Sequence, residues 1–200
     1  MSKTNIVLAS ASESRAAVLS AAGVNFTREP SNIDEEFVKT KMRDDGATGL
    51  QVAETLAIKK ARLISGQHPH CFVIGADQML DCEGIWYDKP VDMAAARETL
   101  KNLCGRTHQL LAAVCVMRDG AVLWSHHESA HMTMRTFDDT FINWYLEAAG
   151  PDVLQSVGAY KLEDVGAQLF DRINGDYFTI LGLPLLPLLA FLRNKGATRS

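Results

Sequence analysis

Short apolar runs alternate with amphipathic stretches along this chain, and the first junction sets the pattern. Ile6 to Ala9 is a short apolar run ahead of small polar residues, which predicts a buried strand. Ser10 and Glu13 then form an S-x-x-E capping box. The sequence therefore predicts a helix capped by Ser10, with Val18, Leu19 and Ala22 on its inner face and Gly23 at its end. Asn25 to Thr27 predicts a short strand, and the polar stretch Lys39 to Gly49 a mobile connection. Gln51 to Ser65 has helical periodicity, with Val52, Leu56, Leu63 and Ile64 on one side and Lys60 bordering that face. Cys71 to Ala76 is a second buried-strand run, ending at Asp77.

Further along, Asp81 to Gly84 reads as a turn and Ile85 to Tyr87 as a returning strand. Asp92 is placed to cap a helix reaching Leu103. Gln109 to Met117 predicts a long strand, and Asp119-Gly120 a hairpin turn. Val122 to His126 and Ala130 to Arg135 predict two further strands. Thr140 to Ala149 predicts a helix stopped by Gly150-Pro151, and Pro184 suits the first turn of a C-terminal helix. No linker or repeat divides the pattern, so it describes one α/β domain, bilobed, with a central cleft.

Composition narrows the class of partner. The 200 residues are 47% hydrophobic and 22% charged, ordinary for a soluble globular chain. A net charge of −4 gives no reason to expect nucleic acid or an anionic membrane surface. The four cysteines, Cys71, Cys82, Cys104 and Cys115, form no C-x-x-C pair, and the histidines lack zinc-finger spacing. Free thiols in a reducing compartment are expected. The opening MSKTN has no apolar signal core. The longest apolar run, near Ile180 to Leu192, is broken by Gly182, Pro184 and Pro187. A cytoplasmic protein with no membrane span is expected.

Candidate chemistry gathers at the element junctions. A strand entering a helix N-terminus leaves backbone N–H groups and a dipole that favour an anion. Ser10, Ser12 and Ser14 add hydroxyls there, and Arg15 a guanidinium fork suited to phosphate. No G-x-x-x-x-G-K-[ST] or G-x-G-x-x-G motif is present. Asp34-Glu35-Glu36 reads either as the acidic first turn of a helix or as part of a divalent-cation site. Lys60 reads as a snorkelling lysine or as an anion contact. Asp77, after an apolar strand, suits a metal ligand or a general base, or else a brace for the next turn. Gln78 can present its amide to a base edge or to backbone. Pro90 stiffens the chain at Lys89. His126, His127 and His131 read as exposed strand histidines rather than a metal site.

Taken together these pieces resemble the Maf proteins, a family of nucleoside triphosphate pyrophosphatases. The family opens with an L-A-S-x-S-P-R-R-like stretch, here Leu8-Ala9-Ser10-Ala11-Ser12-Glu13-Ser14-Arg15. Asp34-Glu35 matches its D-E pair, Leu56 to Ala61 its L-A-x-x-K-A, and Gly75 to Asp77 its G-A-D. Lys89-Pro90 matches K-P, Cys104 to His108 matches S-G-R-T-H, Val157 to Tyr160 matches A-G-x-Y, and Gly182 to Leu185 matches G-L-P-L. The matches run in order from residue 8 to residue 185.

The resemblance implies a single Maf-like domain over residues 1–200, with a mixed twisted sheet flanked by helices around a cleft, often dimeric. It implies hydrolysis of a nucleoside triphosphate to monophosphate plus diphosphate with a divalent metal such as Mg, Mn or Co. Asp77 is then the catalytic acid/base, and Glu35 joins it at the metal. Ser10, Arg15, Lys60 and Lys89 bind the triphosphate. Three positions depart from the dTTP/UTP branch of the family: Ser14, Gln78 and Glu163. Gln78 and the Lys161-x-Glu163 stretch resemble the branch that hydrolyses 7-methyl-GTP, although that branch has an aromatic residue where Ser14 stands. A carboxylate at Glu163 can accept from guanine N1–H and N2 and offset the charge of a 7-methylated base. The family's link to septum formation supports an alternative, a non-catalytic nucleotide-sensing regulator. A phosphatase releasing orthophosphate is a further rival.

Overall fold

The computed structural model describes residues 6–199. The MSKTN segment read above lies outside them. Among the described residues a seven-stranded mixed sheet is flanked by helices. Its strands are β1 (Ile6–Leu8), β2 (Thr27–Arg28), β3 (Phe72–Cys82), β4 (Ile85–Tyr87), β5 (Thr107–Arg118), β6 (Ala121–Met134) and β7 (Phe170–Asn174). The order is β2-β1-β3-β5-β6-β7, with β4 also paired to β3. The helices are α1 (Glu13–Ala21), α2 (Glu35–Asp44), α3 (Gly49–Ser65), α4 (Met93–Leu103), α5 (Asp139–Ala149), α6 (Tyr177–Ile180) and α7 (Leu185–Asn194). No described helix is long and apolar enough to cross a membrane.

The chain divides into two compact units. The first holds the chain up to Gln78, Ala112–Glu128 and everything from Tyr177 onward. Its centre is β1, parallel to β2 on one side and to β3 on the other, with Leu8 opposite Ile74. Ile6, Leu8, Leu19, Ile74, Val116 and Leu188 are sealed in its core. The apolar stripe of α3 also buries Val52, Ala53, Leu56, Ala57, Ala61 and Ile64. Gly75 permits the close approach of α3 to β3. A Cβ at that position would lie 2.1 Å from the Ala57 carbonyl oxygen.

The second unit comprises Met79–Leu111 and Ser129–Asp176. The β3–β4 hairpin pairs Leu80 with Tyr87 and Cys82 with Ile85, and β7 runs antiparallel to β6. Leu100, Leu103, Leu110, Met132 and Tyr145 are fully buried here. His108 and Tyr160 meet in the same interior, ring nitrogen Nε2 to hydroxyl at 2.7 Å.

Four expectations change. The first helix is capped by Ser12, whose side chain accepts from the Arg15 amide, two residues later than the capping-box reading placed it. Residues expected to form a mobile connection belong to α2, capped by Asp34 with Glu35 and Glu36 in its first turn and Lys41 and Arg43 in its last. That helix buries none of its residues, so it carries no apolar stripe for a periodicity reading to find. Strand β3 continues through Asp77 to Cys82, because it finds a new antiparallel partner in β4 after its parallel partner β1 has ended. The two strands expected between Val122 and Arg135 are one strand, β6, along whose middle Ser125, His127 and Ser129 are exposed while His126 and Glu128 alternate with them on a half-buried face.

Candidate active site

Lys60 carries the geometry of the site. It stands on the fourth turn of α3, on the face turned toward β3, and is only 6% exposed. Its Nζ donates to Asp77 Oδ1 at 2.6 Å and pairs with Glu35 Oε1 at 2.8 Å. Asp77 comes from the middle of β3 and is 4% exposed, while Glu35 comes from the first turn of α2 and is half-exposed. One ammonium thus joins a helix, a strand and a second helix. Asp77 Oδ2 and Glu35 Oε2 take no hydrogen bond among the described residues.

Arg15 is buried beside this bridge, in the first turns of α1. Its Nε donates to the Gly182 carbonyl at 2.8 Å. Its Nη1 donates to Ser10 Oγ at 3.1 Å and to the Ala76 carbonyl at 3.0 Å. Those three bonds fix the guanidinium, and Nη2 takes no hydrogen-bond acceptor among the described residues. Ser10 also accepts from the Ser12 amide, so its hydroxyl stays at the strand–helix turn although Ser12 is the cap. Gln78 turns its amide to backbone: Nε2 donates to the carbonyls of Thr179 at 2.9 Å and Ile180 at 3.2 Å.

The electrostatics follow from burial working against charge. Burial pushes the Asp77 carboxyl above the usual carboxylate range, and Lys60 and Arg15 only partly offset it. Burial also raises Glu35, but there the Lys60 ammonium wins and the net shift is downward. Burial lowers Arg15 against the pull of Asp77 and Glu35, yet a guanidinium remains a cation in this range. A buried carboxylate with one unbonded oxygen and a raised pKa has the properties of a general base. Two cations and two carboxylates leave the cluster with no surplus formal charge.

Ser14 stands half-buried in the first turn of α1. Lys89 and Glu163 belong to the second unit, both exposed, Lys89 after β4 and Glu163 in the turn following Tyr160. Ser10, Arg15, Glu35, Lys60, Asp77 and Gln78 are therefore the candidates brought together within the first unit. The exposed-histidine reading is refined: His127 Nδ1 lies 2.7 Å from Glu54, and His126 Nε2 lies 3.1 Å from Glu128. Among the described residues no group of three or more His, Cys, Asp or Glu side chains is gathered for a metal ion.

Arg28 is a contributor that sequence reasoning missed. It donates to the carbonyls of Ser10 and Ala11 and pairs with Glu13 at 2.6 Å. It thereby holds the turn before α1 and engages the Glu13 carboxylate in the first turn of that helix. A two-residue strand gives no periodicity, so nothing in the local sequence marks it.

Known proteins resemble this chain over nearly its whole length. A family model described as Maf-like protein matches residues 5–195. The chain is 50% identical over 190 residues to a nucleoside triphosphate pyrophosphatase of Paramagnetospirillum magneticum, covering 95% of this chain and 98% of that relative. It is 47% identical over 192 residues to a nucleoside triphosphate pyrophosphatase of Granulibacter bethesdensis, covering 96% and 98%. It is 49% identical over 190 residues to a 7-methyl-GTP pyrophosphatase of Brucella abortus, covering 95% and 96%.

Proposed function

The chain belongs to the Maf-like protein family, and from that premise we propose that it is a nucleoside triphosphate pyrophosphatase, a hydrolase of acid anhydrides that clears nucleotides from the pool. Water attacks the α-phosphorus, the bond from that phosphorus to the bridging oxygen breaks, and diphosphate leaves with the monophosphate as second product. The observation that carries this reading is the buried Lys60 ammonium held between Asp77 and Glu35. The Asp77 carboxylate takes the proton from the attacking water. Lys60 keeps Asp77 ionised and has one N–H left for a phosphate oxygen. Arg15 offers Nη2, already oriented by its three protein contacts, and the free N–H groups of the α1 N-terminus add to it.

A divalent cation belongs to the family's chemistry, and the donor set here fits one. Asp77 and Glu35 each retain an unbonded carboxylate oxygen, and hard cations such as magnesium take one or two carboxylates plus substrate phosphates. The balanced charge of the cluster also leaves a triphosphate unneutralised. When bound, the ion supplies positive charge against the triphosphate oxygens.

For the base we favour a 7-methyl-GTP-like substrate, read by Gln78 and Glu163 with Ser14 leaving room for a purine. Lys89 is assigned a further triphosphate contact. Residues 1–200 are read as one catalytic domain, in a cytoplasmic homodimer. The regulator reading is not favoured.

The test is diphosphate release with magnesium or manganese across natural and methylated nucleoside triphosphates. Selective cleavage of 7-methyl-GTP, lost in Glu163→Gln, is expected. Preference for dTTP and UTP would remove Gln78 and Glu163 as base readers. Orthophosphate without diphosphate would overturn the reaction, and no turnover at all would favour the regulator.

A further inference from the structure

Helix α6 is a single turn of four residues, yet side chains of the site lean on it and on the residue that follows its end. Gln78 Nε2 donates to the carbonyls of Thr179 and Ile180, and Arg15 Nε to the carbonyl of Gly182. Gly182 reaches this position with φ +89°, and a Cβ there would lie 3.3 Å from Arg15 Nε and 3.5 Å from Gln78 Oε1. The segment is a backbone template against which a guanidinium and an amide are aligned.

A helix of one turn has almost no persistence of its own. Leu181, Gly182 and Leu183 donate back to Tyr177, Thr179 and Phe178, which closes the turn on itself but does not place it. Phe178, Leu181 and Leu183 pack the segment against the core, and Thr179 adds a directional polar tie. The residue is fully buried, and its hydroxyl donates to Glu128 Oε2. Glu128 lies on β6, and its other oxygen, Oε1, lies 3.1 Å from His126 Nε2. The His126 ring is stacked on Trp124 at 5.7 Å, and Trp124 on Phe191 of α7 at 5.2 Å. The carboxylate is therefore held on one side by an aromatic stack rooted in the core and holds α6 on the other.

We infer that Glu128 is a positioning residue for the reaction: through the Thr179 hydroxyl it sets α6 so that the carbonyls of residues 179, 180 and 182 orient Gln78 and Arg15. This rests on the reading of Arg15 and Gln78 as substrate-side groups. It adds a residue that touches neither substrate nor metal. Gln78 has both amide N–H groups engaged by the template, so its Oε1 is the atom whose direction Glu128 controls.

Thr179→Val keeps the shape and removes the hydroxyl, and Thr179→Ser keeps the hydroxyl. In Thr179→Val, kcat/KM is expected to fall about tenfold to a hundredfold, because small misplacements of substrate-positioning groups have effects of that order. The loss should appear in KM and in the ratio between nucleobases. Thr179→Ser should recover most of it. Combining Thr179→Val with Gln78→Ala should give the base selectivity of Gln78→Ala alone, since coupled residues do not act additively. Glu128→Ala, at a half-buried position, serves as the second variant and should shift KM and selectivity in the same direction. A purely structural brace would lower the melting temperature and leave these ratios unchanged, and that result overturns the inference. Independent, additive effects in the double variant overturn it as well. If Gln78→Ala itself leaves selectivity unchanged, the substrate-side reading fails and the inference with it. If Gln78→Ala shifts selectivity while Thr179→Val and Glu128→Ala do not, the inference fails alone.

Discussion

Asp77 has to stay ionised in a place that disfavours charge. It is 4% exposed, and burial raises its pKa, yet Lys60 at 2.6 Å gives the charged form a partner. Asp77→Asn keeps the shape and removes the base. The expected outcome is a folded protein whose kcat for diphosphate release falls by about 10² or more. Steady-state kinetics alongside a circular-dichroism melt checks this, and near-wild-type turnover would take Asp77 out of the mechanism. Lys60→Met should be the more destabilising change, by about 3 kcal/mol, because it leaves a buried carboxylate without its cation. Asp77→Asn leaves Lys60 still paired with Glu35. Asp77, Lys60 and Glu35 were legible as candidates because each sits where sequence marks an element: a strand run, a helix face, an acidic first turn. The commitments of Arg15 and Gln78 were not. Their carbonyl partners in the segment 179–182 lie 167 and 101 to 102 residues away, beyond any local pattern.

At the scale of elements, the site depends on how closely α3 can lie on β3. Gly75 sets that distance, since a Cβ there would meet Ala57 O at 2.1 Å and Ala61 Cβ at 2.8 Å. Both obstacles belong to the helix that carries Lys60, so the helix itself must move. Gly75→Ala is therefore expected to cost about 1–3 kcal/mol of stability as an overpacking change. It should also lower kcat, because Lys60 moves with α3. Thr48→Ala is the control. It removes the α3 capping box at a cost of about 1 kcal/mol but leaves the packing against Gly75 intact, so turnover measured well below the melting temperature should be unchanged. Denaturant titration and initial rates on both variants separate the two effects. Helix α3 was readable from its stripe, α4 from its Asp92 cap and α5 from its Gly150-Pro151 stop. Helix α2 was not, because every turn of it faces solvent and its caps and end charges are its only signals.

For the whole molecule, sequence order gave the class of fold but not the pairing of strands. Apolar runs at Ile6 and Cys71 marked two strands, yet their parallel pairing joins residues 66 positions apart, Ile6 to Phe72, which no local pattern encodes. The partners of His108 were equally hidden. His108 is 1% exposed, its Nε2 meets the Tyr160 hydroxyl at 2.7 Å, and its Nδ1 is the buried side-chain nitrogen or oxygen left without a partner among the described residues. Burial lowers its pKa to about 4, while the unfolded chain restores a value near the ordinary 6.5. The folded state therefore binds fewer protons than the unfolded state between those two values. Stability is full above about pH 6.5 and falls as the pH drops toward about 4, with a slope of about 1.4 kcal/mol per pH unit from this one group. Tyr160, pushed well above its ordinary range by burial, stays protonated throughout and adds no slope. His108→Phe should be less stable than wild type at pH 7.5, because it leaves the Tyr160 hydroxyl without its partner. The gap between the two proteins should then narrow as the pH is lowered from 6.5 to 4. Urea unfolding at a series of pH values measures it, and subtracting one protein from the other cancels the other titrating groups. A gap that stays constant across that range would mean that His108 is not carried neutral in the fold.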